Sequence, residues 1–217
     1  MRCDSVPGAP LGSSAGYATC ADITDATPAA NAVHTSNRSA AAGIASRFLD
    51  ERATNGVDVL MGGGRNHFTP FAAGTNAAGR VDGRNLLAEL AAKGYTVAAS
   101  KAEMNAAAPG KKFIGLYSSR SHLEYELDRT ATPPLGEGAN QPSLAEMTVK
   151  AMDLLASNTN GYFLMVEGGR IDHALHGTNA KRALTDTIAF DDAVKAALAK
   201  AKLTDPTLAN TLIVVTA

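Results

Sequence analysis

A dense group of ionisable residues follows an apolar segment in the second half of the chain. Residues 161–166 are apolar, Glu167 comes next, and Asp172, His173 and His176 lie within the following nine positions. Carboxylates combined with imidazoles are a common ligand set for Zn²⁺, whereas carboxylates with hydroxyl groups and water suit Mg²⁺. Asp172 and His176 are four residues apart, so they share one face if the segment is helical. The segment is therefore a candidate metal site. The competing interpretation is a solvated loop in which Asp172 only complements a helix dipole.

A second group of polar residues lies near the start of the chain. Asp25 and Thr27 precede Pro28, which suits the first turn of a helix, and Arg38 follows eleven residues after Thr27. Taken alone, this pattern indicates a helix cap and a surface arginine.

The composition limits the class of protein. The chain has 217 residues, of which 45% are hydrophobic, and a formal net charge of −1. A core of useful size is expected, and neither a nucleic-acid partner nor a membrane surface is indicated. No apolar run reaches the roughly 20 residues of a membrane-spanning helix. No signal peptide is visible at the start of the sequence.

Cys3 and Cys20 could pair in an oxidising compartment, but two cysteines do not decide the compartment.

Hydrophobic periodicity predicts alternating strands and helices. The predicted strands are 57–61, 95–99, 112–117, 161–166 and 211–215, and the predicted helices are 39–53, 85–93, 144–156 and 179–201. Such alternation is typical of an α/β fold with a mainly parallel sheet. Ligands of these folds bind beyond the carboxyl ends of the strands, where Glu167 is expected.

Several details of these elements are also predicted. Ser143 and Glu146 form a capping box at the start of the helix 144–156. The strand 161–166 is continuous and apolar, which is typical of burial on both faces. The helix 179–201 is expected to face the core with Leu184, Ile188, Val194 and Leu198. Residues 1–16 are expected to be irregular, and residues 118–142 are expected to form a long loop of the kind that often serves function.

Together the two polar groups resemble the alkaline phosphatase family. The segment V-E-G-G-R-I-D-H (166–173) resembles that family's metal-ligand signature, and D-A-T-P-A-A (25–30) resembles its magnesium segment. The stretches V-D-V-L-M-G-G-G-R (57–65) and T-L-I-V-V-T-A (211–217) agree as well. The resemblance runs from about Ser14 to Ala217, and it implies a three-layer αβα sandwich, here incomplete. The chain is accordingly divided into an irregular segment, 1–16, and a partial phosphatase-like domain, 17–217.

The resemblance also implies roles for individual residues. Asp25 borders a Mg²⁺ site whose ligands include Thr27 and Glu167. Asp172 and His176 are ligands of one of two Zn²⁺ ions in the complete site. Arg38 holds the phosphate of the substrate, and His173 tunes the site. The implied reaction is hydrolysis of small phosphomonoesters through a phosphoserine intermediate.

The chain also departs from the family pattern. The nucleophilic serine is not identified, because Asp4-Ser5 lies too close to Asp25 to match the family spacing. The ligands of the second zinc ion and a later histidine of the first have no counterpart in these 217 residues. The stretch A-T-C-A-D-I-T (18–24) is shorter than in the family, so one strand of the sheet is expected to be weakened or lost. This chain alone is therefore expected to be inactive.

Other functions remain open at this point. One is a non-catalytic metal-binding fragment that needs a complementing segment. Another is a related sulfatase or phosphodiesterase, which the V-E-G-G-R-I-D-H segment and Arg38 disfavour. The resemblance further suggests a possible homodimer and a periplasmic or secreted location.

Overall fold

The computed structural model describes residues 12–51 and 57–216. The strands in these ranges are β1 (Ser14–Asp22), β2 (Val57–Gly63), β3 (Thr96–Ala98), β4 (Phe113–Leu116) and β5 (Tyr162–Glu167). The α-helices are α1 (Ala26–Ala30), α2 (Ala41–Asp50), α3 (Leu86–Ala92), α4 (Lys101–Ala106), α5 (Glu126–Arg129), α6 (Leu144–Leu155), α7 (Arg170–His176) and α8 (Ala180–Lys202). Short 3₁₀ helices occupy Arg65–Phe68 and Gly138–Asn140.

The strands form one sheet in the order β3-β4-β2-β1-β5. Each of the four pairings between neighbouring strands is parallel. The predicted α/β class with a mainly parallel sheet is therefore confirmed. Because all strands run in one direction, their carboxyl ends share one edge, where the polar segments meet.

Helices cover both faces of the sheet, which makes three layers. Side chains that alternate along a strand point to opposite faces. Tyr17 and Leu60 pack with α2 on one face, and their neighbours Ala18 and Met61 pack with α6 on the other. Each face is therefore sealed by its own apolar cluster.

The expectation that the strand near 18–24 is weakened or lost is wrong. β1 has nine residues, lies between β2 and β5, and is buried along most of its length. It pairs continuously with β5 from Ser14 opposite Tyr162 to Thr19 opposite Glu167. β1 begins at Ser14, so the last part of the predicted irregular segment 1–16 belongs to the sheet. Residues 1–11, including Cys3 and Ser5, lie outside the described residues.

The predicted inner stripe of the long helix is wrong at Leu184 and Ile188, whereas Val194 and Leu198 are half-buried. In α8 the side chains of Leu184 and Ile188 are 66% and 62% exposed, whereas Ala183, Asp186 and Ala193 are buried. The helix packs against α6 and α7. The small side chains of Ala183 and Ala193 allow close packing on this face, and the larger Phe190 packs against the same core cluster as Ala193.

Two strand expectations also need correction. Residues 211–215 form no strand, and Leu212 and Val214 are 88% and 74% exposed. An extended segment becomes a strand only when a neighbour accepts and donates its backbone hydrogen bonds, and no such neighbour is present in the described part of the chain. The strand near 161–166 exists as β5, but it lies at the edge of the sheet and is half-buried rather than covered on both faces.

The remaining elements agree with the predictions within a few residues. The helix predicted at 39–53 covers 41–50, and the one at 85–93 covers 86–92. The capping box is present, because the Ser143 hydroxyl accepts from Glu146 N–H while the Glu146 carboxylate accepts from Ser143 N–H. The predicted loop 118–142 contains α5 and a 3₁₀ turn, so it is less irregular than expected.

Candidate active site

The site lies at the carboxyl edge of the sheet. Asp25 follows β1, His122 follows β4, and Glu167 ends β5, directly before α7. Segments that are far apart in the sequence converge because their parallel strands end at the same edge of the sheet. β2 separates β4 from β1, and the loop after β4 reaches the end of β1, where the N–H of Leu123 donates to the carbonyl of Cys20.

The carboxylate of Asp25 lies close to two other predicted site residues. It caps α1, and its Oδ1 accepts a hydrogen bond of 2.8 Å from the N–H of Ala26. The same oxygen lies 3.4 Å from Nη2 of Arg38. Its Oδ2 lies 3.6 Å from Nε2 of His173. One carboxylate therefore faces both the arginine and the histidine that the resemblance assigns to the site.

His122 is a further residue of this cluster, and the sequence analysis missed it. A ring nitrogen of His122, one of His173 and a carboxylate oxygen of Asp25 lie within 4.8 Å of one another. The rings of His122 and His173 are tilted by 42° relative to each other, with centroids 4.2 Å apart. The only sequence signal was its place in the long loop 118–142. Burial, the nearby His173 and the charge of Arg170 lower the pKa of His122 to about 4, so it is neutral near pH 7.

Arg170 fixes the position of His173. Its guanidinium lies 3.6 Å above the ring of Tyr125, and its Nη1 is 3.2 Å from Nδ1 of His173. Arg182 also approaches this ring, at 4.4 Å, and pairs with Asp128 at 2.7 Å. Cation–π contacts of this kind hold a guanidinium in place without using its hydrogen-bond donors.

Glu167 is held by the neighbouring strand. The hydroxyl group of Thr19 donates a hydrogen bond of 2.6 Å to its Oε2. Thr19 is fully buried, and its hydroxyl oxygen also accepts from the N–H of Ala21. One carboxylate oxygen of Glu167 is therefore oriented, and Oε1 has no hydrogen-bond partner among residues 12–51 and 57–216.

Asp172 and His176 lie together on one face of α7, as their spacing predicts. Oδ2 of Asp172 is 3.3 Å from Nε2 of His176, and the two side chains are 71% and 79% exposed. Zinc bonds of about 2.0–2.2 Å in a tetrahedron place neighbouring ligand atoms about 3.3–3.6 Å apart. The pair therefore has the spacing of two zinc ligands, open to solvent on the remaining side.

The predicted Mg²⁺ ligands are Thr27 and Glu167, and the predicted Zn²⁺ ligands are Asp172 and His176. Across the two described ranges, no hydrogen bond or ion pair joins Thr27 or Glu167 to Asp172 or His176. Thr27 is exposed on α1, and its backbone carbonyl accepts from Asn31.

A buried carboxylate lies beside the site, at the end of β1. Asp22, the last residue of β1, lies 3.2 Å from Nε2 of His67 and accepts two hydrogen bonds from Thr24. Burial alone would raise the pKa of Asp22, but the hydrogen bonds from His67 and Thr24 outweigh it and hold the pKa below its usual range. Gly64 has φ +88°, and a Cβ there would collide with this carboxylate. The turn after β2 therefore needs glycine at this position.

Known proteins share both the sequence and the fold. A family profile described as "Alkaline phosphatase" matches residues 9–217. The chain belongs to the alkaline phosphatase family. It is 34% identical to streptomycin-6-phosphate phosphatase of Streptomyces griseus, over 95% of this chain and 51% of that protein.

Solved alkaline phosphatases have the same arrangement of strands and helices. The enzyme of Thermus thermophilus superposes with a TM-score of 0.77 at 34% identity, over 89% of this chain and 37% of that one. A mutant of the TAB5 alkaline phosphatase, solved with Mg bound in its M3 site, superposes with a TM-score of 0.68 at 25% identity, over 88% of this chain and 49% of that one. The chain thus spans about half the length of the relatives it matches, or less.

Proposed function

We propose that this chain carries the phosphate-binding residues and part of the metal-binding residues of a phosphomonoester hydrolase. The observation that carries the proposal is the convergence of Arg38 and His173 on the carboxylate of Asp25. This convergence lies at the carboxyl edge of the sheet, and the chain belongs to a family of phosphatases.

Arg38 is the proposed phosphate-binding group. Its side chain is 77% exposed, so it is accessible to a ligand. A guanidinium is planar, always charged, and able to donate to two oxygens of one phosphate. Asp25 restrains one end of this guanidinium, which reduces the freedom that the side chain loses on binding.

The proposed metal ligands have donor chemistry that fits the expected ions. Asp172 and His176 would hold Zn²⁺, and Glu167 with Thr27 would hold Mg²⁺, with Asp25 beside that site. Bound metal would neutralise phosphate charge and lower the pKa of a coordinated water. The role of this chain's residues is to present the ligand atoms, and Thr19 does so for Glu167 through its hydrogen bond.

The nucleophile and the remaining metal ligands are not assigned to residues of this chain. We propose that, as the resemblance implies, they belong to parts of the family pattern that this chain does not match. These 217 residues alone would then show little or no turnover. A homodimer and a periplasmic or secreted location are proposals that rest on the resemblance only. Across the described residues, no helix combines the length and hydropathy needed to cross a bilayer.

The proposal is tested by hydrolysis of p-nitrophenyl phosphate at mildly alkaline pH with added Zn²⁺ and Mg²⁺. The purified chain and a longer protein that joins it to the uncovered parts of the family pattern are compared. We expect turnover by the longer protein only, with a loss of at least about 100-fold in its Arg38→Ala variant. Ser36→Ala, an exposed change two residues away, is the matched control.

Three outcomes would contradict the proposal in different ways. Turnover by the chain alone that Glu167→Ala abolishes would show that the catalytic groups are complete within it. Faster hydrolysis of p-nitrophenyl sulfate or bis(p-nitrophenyl) phosphate by the longer protein would assign a different ester class. Metal binding without any turnover by the longer protein would leave a non-catalytic metal-binding role.

A further inference from the structure

Both imidazoles of the site receive a hydrogen bond on the same ring nitrogen. The backbone N–H of Asp22 donates to Nδ1 of His122 at 2.9 Å. Nη1 of Arg170 lies 3.2 Å from Nδ1 of His173. A backbone N–H and a guanidinium can only donate, so both Nδ1 atoms must be acceptors.

The acceptor role of Nδ1 fixes the position of the ring proton. A neutral imidazole carries one N–H, so a ring that accepts on Nδ1 carries its proton on Nε2. His122 and His173 therefore both present an Nε2–H group. Histidines that bind a metal show the opposite arrangement, because they donate their second N–H to a carboxylate or a carbonyl. The closeness of these rings to Asp25 is thus not evidence of a metal site.

The rings of His122 and His173 lie close to Asp25, whose carboxylate also pairs with Arg38. Nε2 of His173 lies 3.6 Å from Oδ2 of Asp25, which is beyond hydrogen-bond length. Nε2 of His122 has no hydrogen-bond partner in the described part of the chain. Arg38 reaches the other oxygen of the same carboxylate at 3.4 Å. Two imidazole rings and one guanidinium therefore lie close to the Asp25 carboxylate.

We propose that His122 and His173 act as a pair of N–H donors that binds an oxyanion of the phosphate class beside Arg38, and that His122 is thereby a phosphate-binding residue of this chain. The inference rests on the proposed function and deepens it. The Asp25 carboxylate opposes a bound anion electrostatically. It also orients Arg38, and it can accept a hydrogen bond from the hydroxyl group of a monohydrogen phosphate.

The first test is the tautomeric state of the free chain. Long-range ¹H–¹⁵N correlation spectra of the protein labelled at its five histidines distinguish a protonated Nε2 from a protonated Nδ1. We expect the Nε2–H form for His122 and His173 at pH 8, unchanged when Zn²⁺ is added. A protonated Nδ1 on His122, or a direct shift of its Nε2 on binding Zn²⁺, would overturn the inference in favour of a metal ligand.

The second test is a titration with inorganic phosphate, monitored in the same spectra. His122→Asn keeps an acceptor for the Asp22 N–H but removes the Nε2 donor, and His122→Gln keeps a donor near the Nε2 position. We expect His122→Asn to bind phosphate about tenfold more weakly, because it loses one charge-assisted hydrogen bond. His122→Gln should lose less phosphate affinity. His34→Asn, an exposed histidine away from the cluster, is the control.

The outcomes separate this inference from the proposed function. Equal phosphate binding by the wild-type chain and His122→Asn, or no phosphate binding by the wild-type chain, would overturn the role of His122. Neither result depends on turnover. Failure of the longer protein to hydrolyse phosphomonoesters would instead overturn the proposed function while leaving the donor pair intact.

Discussion

The hydroxyl group of Thr19 donates a hydrogen bond of 2.6 Å to Oε2 of Glu167, directly across the paired strands β1 and β5. The strand that the sequence analysis expected to be weakened therefore orients a carboxylate proposed to bind metal. We expect Thr19→Val to lower the free energy of unfolding by about 1–3 kcal/mol, because the N–H of Ala21 loses its partner as well. It should also weaken Mg²⁺ binding.

Thr19→Ser is the matched control, because it keeps the hydroxyl group. Urea unfolding and Mg²⁺ titration of both variants provide the measurement. Equal stability of Thr19→Val and Thr19→Ser would show that the hydroxyl group contributes nothing.

Substitution of the solvent-exposed pair on α7, Asp172 and His176, should weaken metal binding without changing the stability of the fold. Asp172→Asn and His176→Gln should each weaken Zn²⁺ binding by about tenfold or more, while the unfolding midpoint without metal changes little, since both side chains are largely exposed. Competition with a chromogenic chelator measures the affinity, and His34→Gln serves as control. Unchanged Zn²⁺ affinity in both variants would remove this pair from the metal site.

The buried carboxyl of Asp186 predicts a pH-dependent stability. Burial raises its pKa to about 6, against hydrogen bonds from the N–H of Glu126 and the charge of Arg170; the carboxylates of Glu126 and Asp128 raise it further. The folded state therefore holds this proton more tightly than the unfolded state. Its contribution to stability is present below about pH 4 and is lost as the pH rises through about 6.

Asp186→Asn removes this titration and can still accept from Glu126. We expect the variant to gain stability relative to the wild type by about 2 kcal/mol between pH 4.5 and 7.5, on the scale of 1.36 kcal/mol per pKa unit. Urea unfolding of both proteins at these two pH values tests the sign. A difference that stays constant across this range would show that Asp186 does not titrate there.

Arg170 packs on the ring of Tyr125 and also contacts His173, so its substitution should affect both stability and the His173 ring. Arg170→Met should lower the free energy of unfolding by about 1–2 kcal/mol, because the contact over Tyr125 loses its charge. The variant also leaves Nδ1 of His173 without its donor, so the His173 ring should no longer be confined to one tautomer. Histidine ¹⁵N spectra report this change, and the exposed Arg120→Met is the control. A His173 spectrum identical to that of the wild type would show that Arg170 does not position the ring.

The corrected inner face of α8 predicts opposite outcomes for two substitutions. Leu184→Gln should change the free energy of unfolding by less than about 0.5 kcal/mol, because the side chain is 66% exposed. Ala193→Leu should destabilise by about 1–3 kcal/mol, because the added atoms have no space in the buried contact. Thermal unfolding of the two variants distinguishes the two faces, and the reverse order of stability would restore the predicted stripe.

The sequence determined the local elements, because their signals lie within a few residues. Apolar runs marked most of the strands, and Ser143 with Glu146 marked a helix start through bonds that span three residues. The spacing of Asp172 and His176 set their contact on α7, since a helical turn brings every fourth residue together. The family motifs indicated the chemistry of the site for the same reason.

Only the tertiary structure decided which elements are neighbours. β1 became a central strand because β2 and β5 pair with both of its edges, whereas residues 211–215 have no such partner in the described part of the chain. On α8, Ala183 and Ala193 turned inward while Leu184 and Ile188 stayed exposed, because packing against α6 and α7 decides which face of the helix is buried. His122 joined Asp25 and His173 because the loop after β4 crosses the end of β2 and hydrogen-bonds to the end of β1, next to the residues that follow β1 and β5. No spacing along the sequence encodes that approach, because the three residues meet only after the sheet has formed.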